Sequence, residues 1–314
     1  MAPPSAPPPT VTRWRPRRCW PSSAGRCSAR PGPPPSSARC AGPTSTRSSL
    51  RPAAERTRAA RPAATRRRPA LWAEALLVVA FLVAYESVQR LAGDDVAAAF
   101  AHARALLGVE QALGLAPEQV LDRAVAASPV LSLLSAAWYS ALHYTVTPAV
   151  LALAYWRLPA LYRAVRNAFF ATTAAALAGY FLLPTAPPRL LAGYVDVVSA
   201  TAGTGWWSAA PPVGTSGVDQ LAAMPSMHVG WSLWCALVLL LVVRRRWLRT
   251  VVLLHPAVTV LVVLGTGNHW LLDVVAGAAL TALSWTVLVR CSAADGTAAA
   301  ARAGDGRDLV REPR

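Results

Sequence analysis

Six apolar stretches dominate the chain after residue 70, at roughly 71–91, 129–155, 164–184, 225–243, 250–267 and 270–290. Each approaches the ~20 residues that a helix needs to cross a bilayer. The run Arg244-Arg245-Arg246-Trp247-Leu248-Arg249 separates the fourth from the fifth. Pro256 falls inside the fifth, where a membrane helix tolerates it as a kink. Between the first two stretches, residues 94–127 mix apolar positions with His102, Arg104, Glu110, Glu118, Asp122 and Arg123. That mixture predicts one or two amphipathic helices lying on the surface. The expected fold is all-α: a six-transmembrane-helix bundle over 70–291, with an amphipathic outer segment between spans 1 and 2.

Composition agrees with a membrane protein. Of 314 residues, 54% are apolar and 15% charged, against about 25% charged in a soluble domain. The charge is uneven. Residues 1–70 hold 15 arginines and one acid, Glu55, which is +14 of the net +16. The pI near 11.1 therefore describes a tail, and no nucleic-acid partner is expected. Residues 1–69 also hold 15 of the 27 prolines without any apolar period. Such a segment buries too little apolar area to offset chain entropy, so a disordered cytoplasmic tail is expected there, and another over 292–314. The start lacks the apolar run of a signal peptide. Cys19, Cys27, Cys40, Cys235 and Cys291 show no CxxC and no regular spacing, so neither a disulfide framework nor a zinc site is expected.

Arginine placement orients the bundle. The basic tail, Arg157, Arg163 and Arg166 after span 2, Arg244–Arg246 and Arg249 after span 4, and Arg290 after span 6 fall on one side of a six-span protein. That side is expected to be cytoplasmic, with both termini. The loop 185–224 has only Arg189, and the turn between spans 5 and 6 has no arginine. These face outward.

Three polar segments share the outward face. Leu183-Pro184-Thr185-Ala186-Pro187-Pro188-Arg189 ends span 3. Met224-Pro225-Ser226-Met227-His228 opens span 4, and Thr266-Gly267-Asn268-His269-Trp270-Leu271-Leu272-Asp273 joins spans 5 and 6. His269 and Asp273 are four apart at a helix start and share a face. A carboxylate there supports a nucleophilic imidazole. His228 is placed to act as general acid. Arg189 offers a forked donor suited to phosphate, and the starts of spans 4 and 6 are expected to aim free backbone N–H groups at the same place. Two histidines, a carboxylate and an arginine in this setting point to phosphoryl transfer through a phosphohistidine.

Pro225-Ser226-Met227-His228 followed by His269-x3-Asp273 resembles the type 2 phosphatidic acid phosphatase superfamily, whose motifs are Lys-x6-Arg-Pro, Pro-Ser-Gly-His and Ser-Arg-x5-His-x3-Asp. The resemblance spans about 70–290. Met227 in place of Gly and the Pro184–Arg189 segment look like the branch with inositol-phosphoryl transferases and many actinobacterial members. It implies His269 as nucleophile, Asp273 as its partner and His228 as the acid that protonates the leaving group. Ser226 matches the phosphate-binding serine. Arg189 matches the first-motif arginine only approximately, because no lysine precedes it. The third-motif Ser-Arg pair is replaced by Val262 and Val263, and Asn268, Thr266 or backbone amides are candidates to substitute in binding phosphate.

The expected function is therefore a phosphatase or phosphotransferase acting on a lipid phosphate at the outer face of the plasma membrane, without a cofactor. A zinc site from His228, His269 and Asp273 fits by residue type, but nothing else in the chain suggests metal, and none is expected. Two further readings stay open: a non-catalytic protein that kept the fold, and a transporter using the mid-span residue His143. Otherwise His143 and His255 read as bundle residues, His102 as a surface residue, and Trp206-Trp207 as interfacial anchors.

Overall fold

The computed structural model describes residues 68–89, 95–210 and 220–291. The two tails expected to be disordered lie outside the described residues, apart from Arg68 and Pro69. The described chain forms helices α1 (Leu71–Gln89), α2 (Val96–Ala112), α3 (Glu118–Ala126), α4 (Pro129–Arg157), α5 (Tyr162–Leu182), α6 (Val197–Ala200), α7 (Met227–Val242), α8 (Arg246–Gly265) and α9 (Leu271–Trp285). A π turn, Thr286–Arg290, extends α9, and Pro188–Leu190 is a 3₁₀ turn. Among the described residues there is no strand, only one isolated bridge between Thr185 and Ala222.

Local chemistry sets the helix starts. Asp95 caps α2 by accepting from Ala98 N–H at 2.9 Å. Ser128 caps α4 and is followed by Pro129, whose missing N–H costs nothing in a first turn. Ser226 caps α7. Pro148 and Pro256 lie inside α4 and α8.

The six expected spans correspond to the six long helices, but not all are apolar enough to count by length and composition. Leu71–Val88, Arg246–Gly265 and Leu271–Arg290 qualify, and the bent pair α3–α4 (116°) adds a fourth if it is one span. The helix α7 is apolar but has only 16 residues. The helix α5 opens with Arg163, Arg166 and Asn167 and is otherwise rich in alanine, with Thr172, Thr173 and Gly179, which lowers its hydropathy. The outward faces of α1, α8 and α9 expose Leu76, Val79, Val83, Val251, Leu254, Leu261, Val275 and Leu283. Such helices are consistent with an integral membrane protein.

The helix α7 is the centre of the bundle and packs on α4, α5, α8 and α9. Phe169, Trp231, Trp234 and Tyr85 form its aromatic heart. The two indole N–H groups are satisfied in place: Trp234 donates to Val165 O and Trp231 to Thr173 Oγ1, each at 3.0 Å. Close approach of α7 and α9 needs small residues, as in many membrane helix pairs. A Cβ on Gly277 would strike the Ser226 carbonyl, and one on Gly230 would press on Thr281.

Arginine-bearing helix ends gather at one end of the bundle. Glu74 of α1 pairs with Arg166 of α5, Arg68 donates to Trp156 O, and Tyr155 donates to Pro69 O. The motif residues lie at the other end.

Expectation and structure differ over α2 and α3. Glu110, Glu118 and Asp122 were expected on the surface, yet each is fully buried. The acidic side chains of these helices face protein, while Arg104 and Arg123 stay exposed. Asp122 accepts from Val195 N–H at 2.9 Å. His102, half-buried, touches Pro184 O at 2.8 Å. Trp207 is likewise buried, with its N–H on Thr201, while Trp206 stays 70% exposed.

Candidate active site

His269 sits in the short link between α8 and α9 and is 4% exposed. Gly267 makes that link possible: its φ of +67° is a conformation that favours glycine. Its carbonyl accepts from Arg189 N–H at 2.7 Å, which ties the segment after α5 to this turn. The imidazole Nδ1 lies 2.9 Å from Ala223 O and 3.6 Å from Asp273 Oδ2. Both neighbours only accept, so Nδ1 carries the proton and Nε2 presents a lone pair. That is the tautomer a nucleophile requires. Asp273 is itself fixed by Trp270 N–H at 2.9 Å.

His228 opens α7 one turn from the close α7–α9 contact. Its ring stacks on Tyr139 (4.1 Å between centroids, 19°) and meets the edge of His143 at 4.3 Å. The His269 ring lies 5.6 Å away. The Nε2 atom of His228 is buried and has no hydrogen-bond partner among the described residues.

Arg189, in the 3₁₀ turn, is held on two sides. Nε donates to Asn268 Oδ1 at 2.9 Å, and Nη1 reaches Asp196 Oδ2 at 3.4 Å. Asn268 is fixed in turn by donating to Thr266 Oγ1 at 2.9 Å. Its side chain thus holds the guanidinium at a set angle, leaving Nη2 without a partner among the described residues.

A cavity of about 440 Å³ gathers these groups. Arg189, His228, Asn268 and His269 line it, with Tyr85, Tyr139, Tyr144 and Tyr180 around them. Ser226 is fully buried beside the cavity and does not line it. Its Oγ faces Val229 N–H at 3.5 Å. Asp273 stands behind His269. Among the described residues, no group of three or more His, Cys, Asp or Glu side chains is arranged to hold a metal.

The start of α9 departs from expectation. Its first amides are not free for phosphate: Leu271 N–H donates to Glu118 at 2.8 Å and Leu272 N–H to Glu110 at 2.7 Å. A helix N-terminus attracts negative charge, and here the protein supplies its own. Sequence reading missed these two glutamates. A signal was present, since Trp270 at the N-cap position has no side-chain acceptor for the first turn and those donors needed partners from elsewhere. Burial raises the Glu110 pKa to about 8, against the opposing Leu272 N–H bond and with help from the neighbouring Glu118 and Asp273 charges.

Placed together, these groups can bind an anion at Arg189 and attack it with His269 while His228 stands opposite. A sequence model of the PAP2 superfamily matches residues 104–287, more than half of the chain. The chain belongs to the PAP2 superfamily. No curated protein and no solved structure matches it. Membership carries chemistry on phosphate esters, in which the superfamily's members are generally phosphatases.

Proposed function

We propose that this PAP2-superfamily chain is a six-span membrane enzyme that transfers the phosphoryl group of a lipid phosphate through a phosphohistidine. Arg189 holds the phosphate oxygens, oriented by Asn268, with Ser226 behind. His269 Nε2 attacks phosphorus. The N–P bond forms as the P–O bond to the lipid breaks, and protonated His228 gives its proton to the departing oxygen. Asp273 stabilises the cationic ring. Water or an alcohol then attacks phosphorus, gives its proton to His228, and releases His269. Water makes the enzyme a phosphatase; an inositol-like or sugar hydroxyl makes it a phosphotransferase of the inositol-phosphoryl type. The arginine-rich ends belong in the cytoplasm, so the site opens at the outer face of the plasma membrane.

The observation that carries this reading is the 2.9 Å contact of His269 Nδ1 with the Ala223 carbonyl, which leaves Nε2 as the nucleophile on a cavity shared with His228 and Arg189. A substrate panel on detergent-purified protein tests it. Polyprenyl diphosphate, phosphatidic acid and phosphatidylinositol are each given with and without inositol, to wild type and to His269→Ala. His269-dependent phosphate release identifies a phosphatase. A His269-dependent new lipid that appears only with the alcohol identifies a transferase. Equal activity in the two proteins refutes the mechanism.

A further inference from the structure

A second cavity adjoins the first. It measures about 470 Å³, within the roughly 300–1,000 Å³ of ligand sites. Four residues, Glu86, His143, Tyr144 and Trp231, line both cavities, so the two spaces meet at a common neck. Beyond the neck the walls turn apolar: Val78, Leu82 and Val83 from α1, and Pro148 and Leu151 from α4. The helix α1 packs chiefly on α5, which leaves its other side facing this cleft. Val83 and Tyr144, on the rim, are 58% and 61% exposed, so the cleft opens sideways on the outer surface of the bundle.

Its direction is informative. Glu86 and His143 mark the neck, and Val78 and Leu151 mark the far end. Glu86 and Val78 on α1, like His143 and Leu151 on α4, are eight residues apart, about 12 Å at ~1.5 Å per residue. The cleft therefore runs parallel to the helix axes, from the catalytic cavity toward the arginine-bearing end. In a bilayer that is the line from headgroup depth toward the midplane, the path of a hydrocarbon chain. An ordinary bilayer lipid lying against the bundle would keep its headgroup at the membrane surface. A chain in this cleft instead leads its headgroup into the cavity of Arg189 and His269. Glu86 at the neck repels a phosphate that slides inward.

We propose that the α1–α4 cleft seats the hydrocarbon chain of the substrate, so that the enzyme takes a lipid phosphate ester laterally from the membrane and measures its chain. This rests on the phosphoryl-transfer reading above and adds a chain-binding site to it.

The test separates chain from phosphate. Hexadecyl phosphate and butyl phosphate carry the same reacting group. Wild type is expected to turn over hexadecyl phosphate with a kcat/KM at least about tenfold that for butyl phosphate, because only the long chain occupies the cleft and positions the headgroup. Val83→Trp, at the exposed rim, and Val78→Trp, at the far end, fill the cleft. Each is expected to lower kcat/KM for hexadecyl phosphate by about tenfold or more while leaving butyl phosphate within about twofold. Retained butyl phosphate turnover also shows that the variant is folded. No preference in wild type, or unchanged hexadecyl phosphate turnover in both variants, overturns the assignment. A parallel loss on both substrates sends the decision to a second measurement that needs no variant. A hexadecyl phosphate with a diazirine at the chain end is photolysed in the wild-type protein. Adducts concentrated on α1 and α4 near Val78 and Leu151 support the cleft; adducts spread over the outward face of α8 overturn it. If His269→Ala keeps phosphate release, the underlying mechanism fails on its own evidence, independently of where the chain lies.

Discussion

The Nδ1 atom of His269 lies closer to the carbonyl of Ala223 (2.9 Å) than to the carboxylate of Asp273 (3.6 Å). The backbone therefore does most of the work of fixing the tautomer, and no substitution at position 273 removes it. Asp273 acts instead through its charge, which stabilises the ring once it turns cationic on phosphorylation. Where a carboxylate alone sets the tautomer, replacing it with the amide costs about 10⁴ in kcat. Here Asp273→Asn is expected to cost less, about a hundredfold, with the KM little changed. A single-turnover measurement of phosphohistidine formation checks this. A loss near ~10⁴ would mean that the Ala223 contact does not hold the ring.

The acid role of His228 makes a separate forecast. The proton it donates matters only when the leaving oxygen is a poor leaving group. His228→Gln is expected to lower turnover of an alkyl phosphate by about 10²–10⁴, while 4-nitrophenyl phosphate still forms the phosphohistidine at a rate close to wild type. Rapid-quench assays on the two substrates read the difference. An equal loss on both would show that His228 binds phosphate instead of moving a proton.

Much of this architecture was legible in the apolar pattern. The stretches at 71–91, 129–155 and 270–290 fall within a few residues of α1, α4 and α9 with its π extension, because a run of apolar side chains needs no partner to be recognised. The motif residues were legible for the same local reason: Ser226 and His228, or His269 and Asp273, sit within one turn of each other. What the sequence did not show is what faces what. The polar stripe carrying Glu110 and Glu118 looks the same whether it meets water or the amides of a distant helix, and only the tertiary placement of α2 and α3 decides. Length and apolarity alone identify three or four of the six expected spans: α5 and α7 pack among their neighbours, and helices inside a bundle need less hydropathy than isolated ones.

Burial of Glu110 couples stability to pH. Its pKa rises from the ordinary 4.5 to about 8, chiefly by desolvation. A group whose folded pKa is raised stabilises the fold most below its unfolded pKa, and that contribution is lost as pH rises through the folded one. The melting temperature in detergent is therefore expected to fall between about pH 4.5 and 8. Glutamine imitates the protonated acid: its oxygen still accepts from Leu272 N–H, and its amide still donates toward Glu118. Glu110→Gln is expected to flatten this part of the profile without unfolding the protein. Scanning calorimetry across that interval checks it, and a wild-type melting temperature that rises with pH would contradict the assignment.

Gly277 tests whether the helix contact and the chemistry are one feature. The α7–α9 approach brings the Ser226 carbonyl so close to Gly277 that a methyl group has no room, and Thr281 of the same α9 face donates to Gly230 O at 3.1 Å. The atoms in the way are backbone, which cannot swing aside as a flexible side chain would. Gly277→Ala must therefore push the start of α7 away from α9, at an overpacking cost of about 1–3 kcal/mol. His228 rides on α7 and His269 precedes α9, so their 5.6 Å ring separation widens with the helices. Catalysis is expected to fall by about a hundredfold, since a displacement near 1 Å is enough for that. Gly108→Ala is the matched control: nothing lies within 4 Å of the added carbon, and alanine favours a helix by about 1 kcal/mol over glycine. It should melt at or above the wild-type temperature with full activity. If Gly277→Ala kept full activity despite a lowered melting temperature, the two histidines would not depend on the α7–α9 spacing for their action.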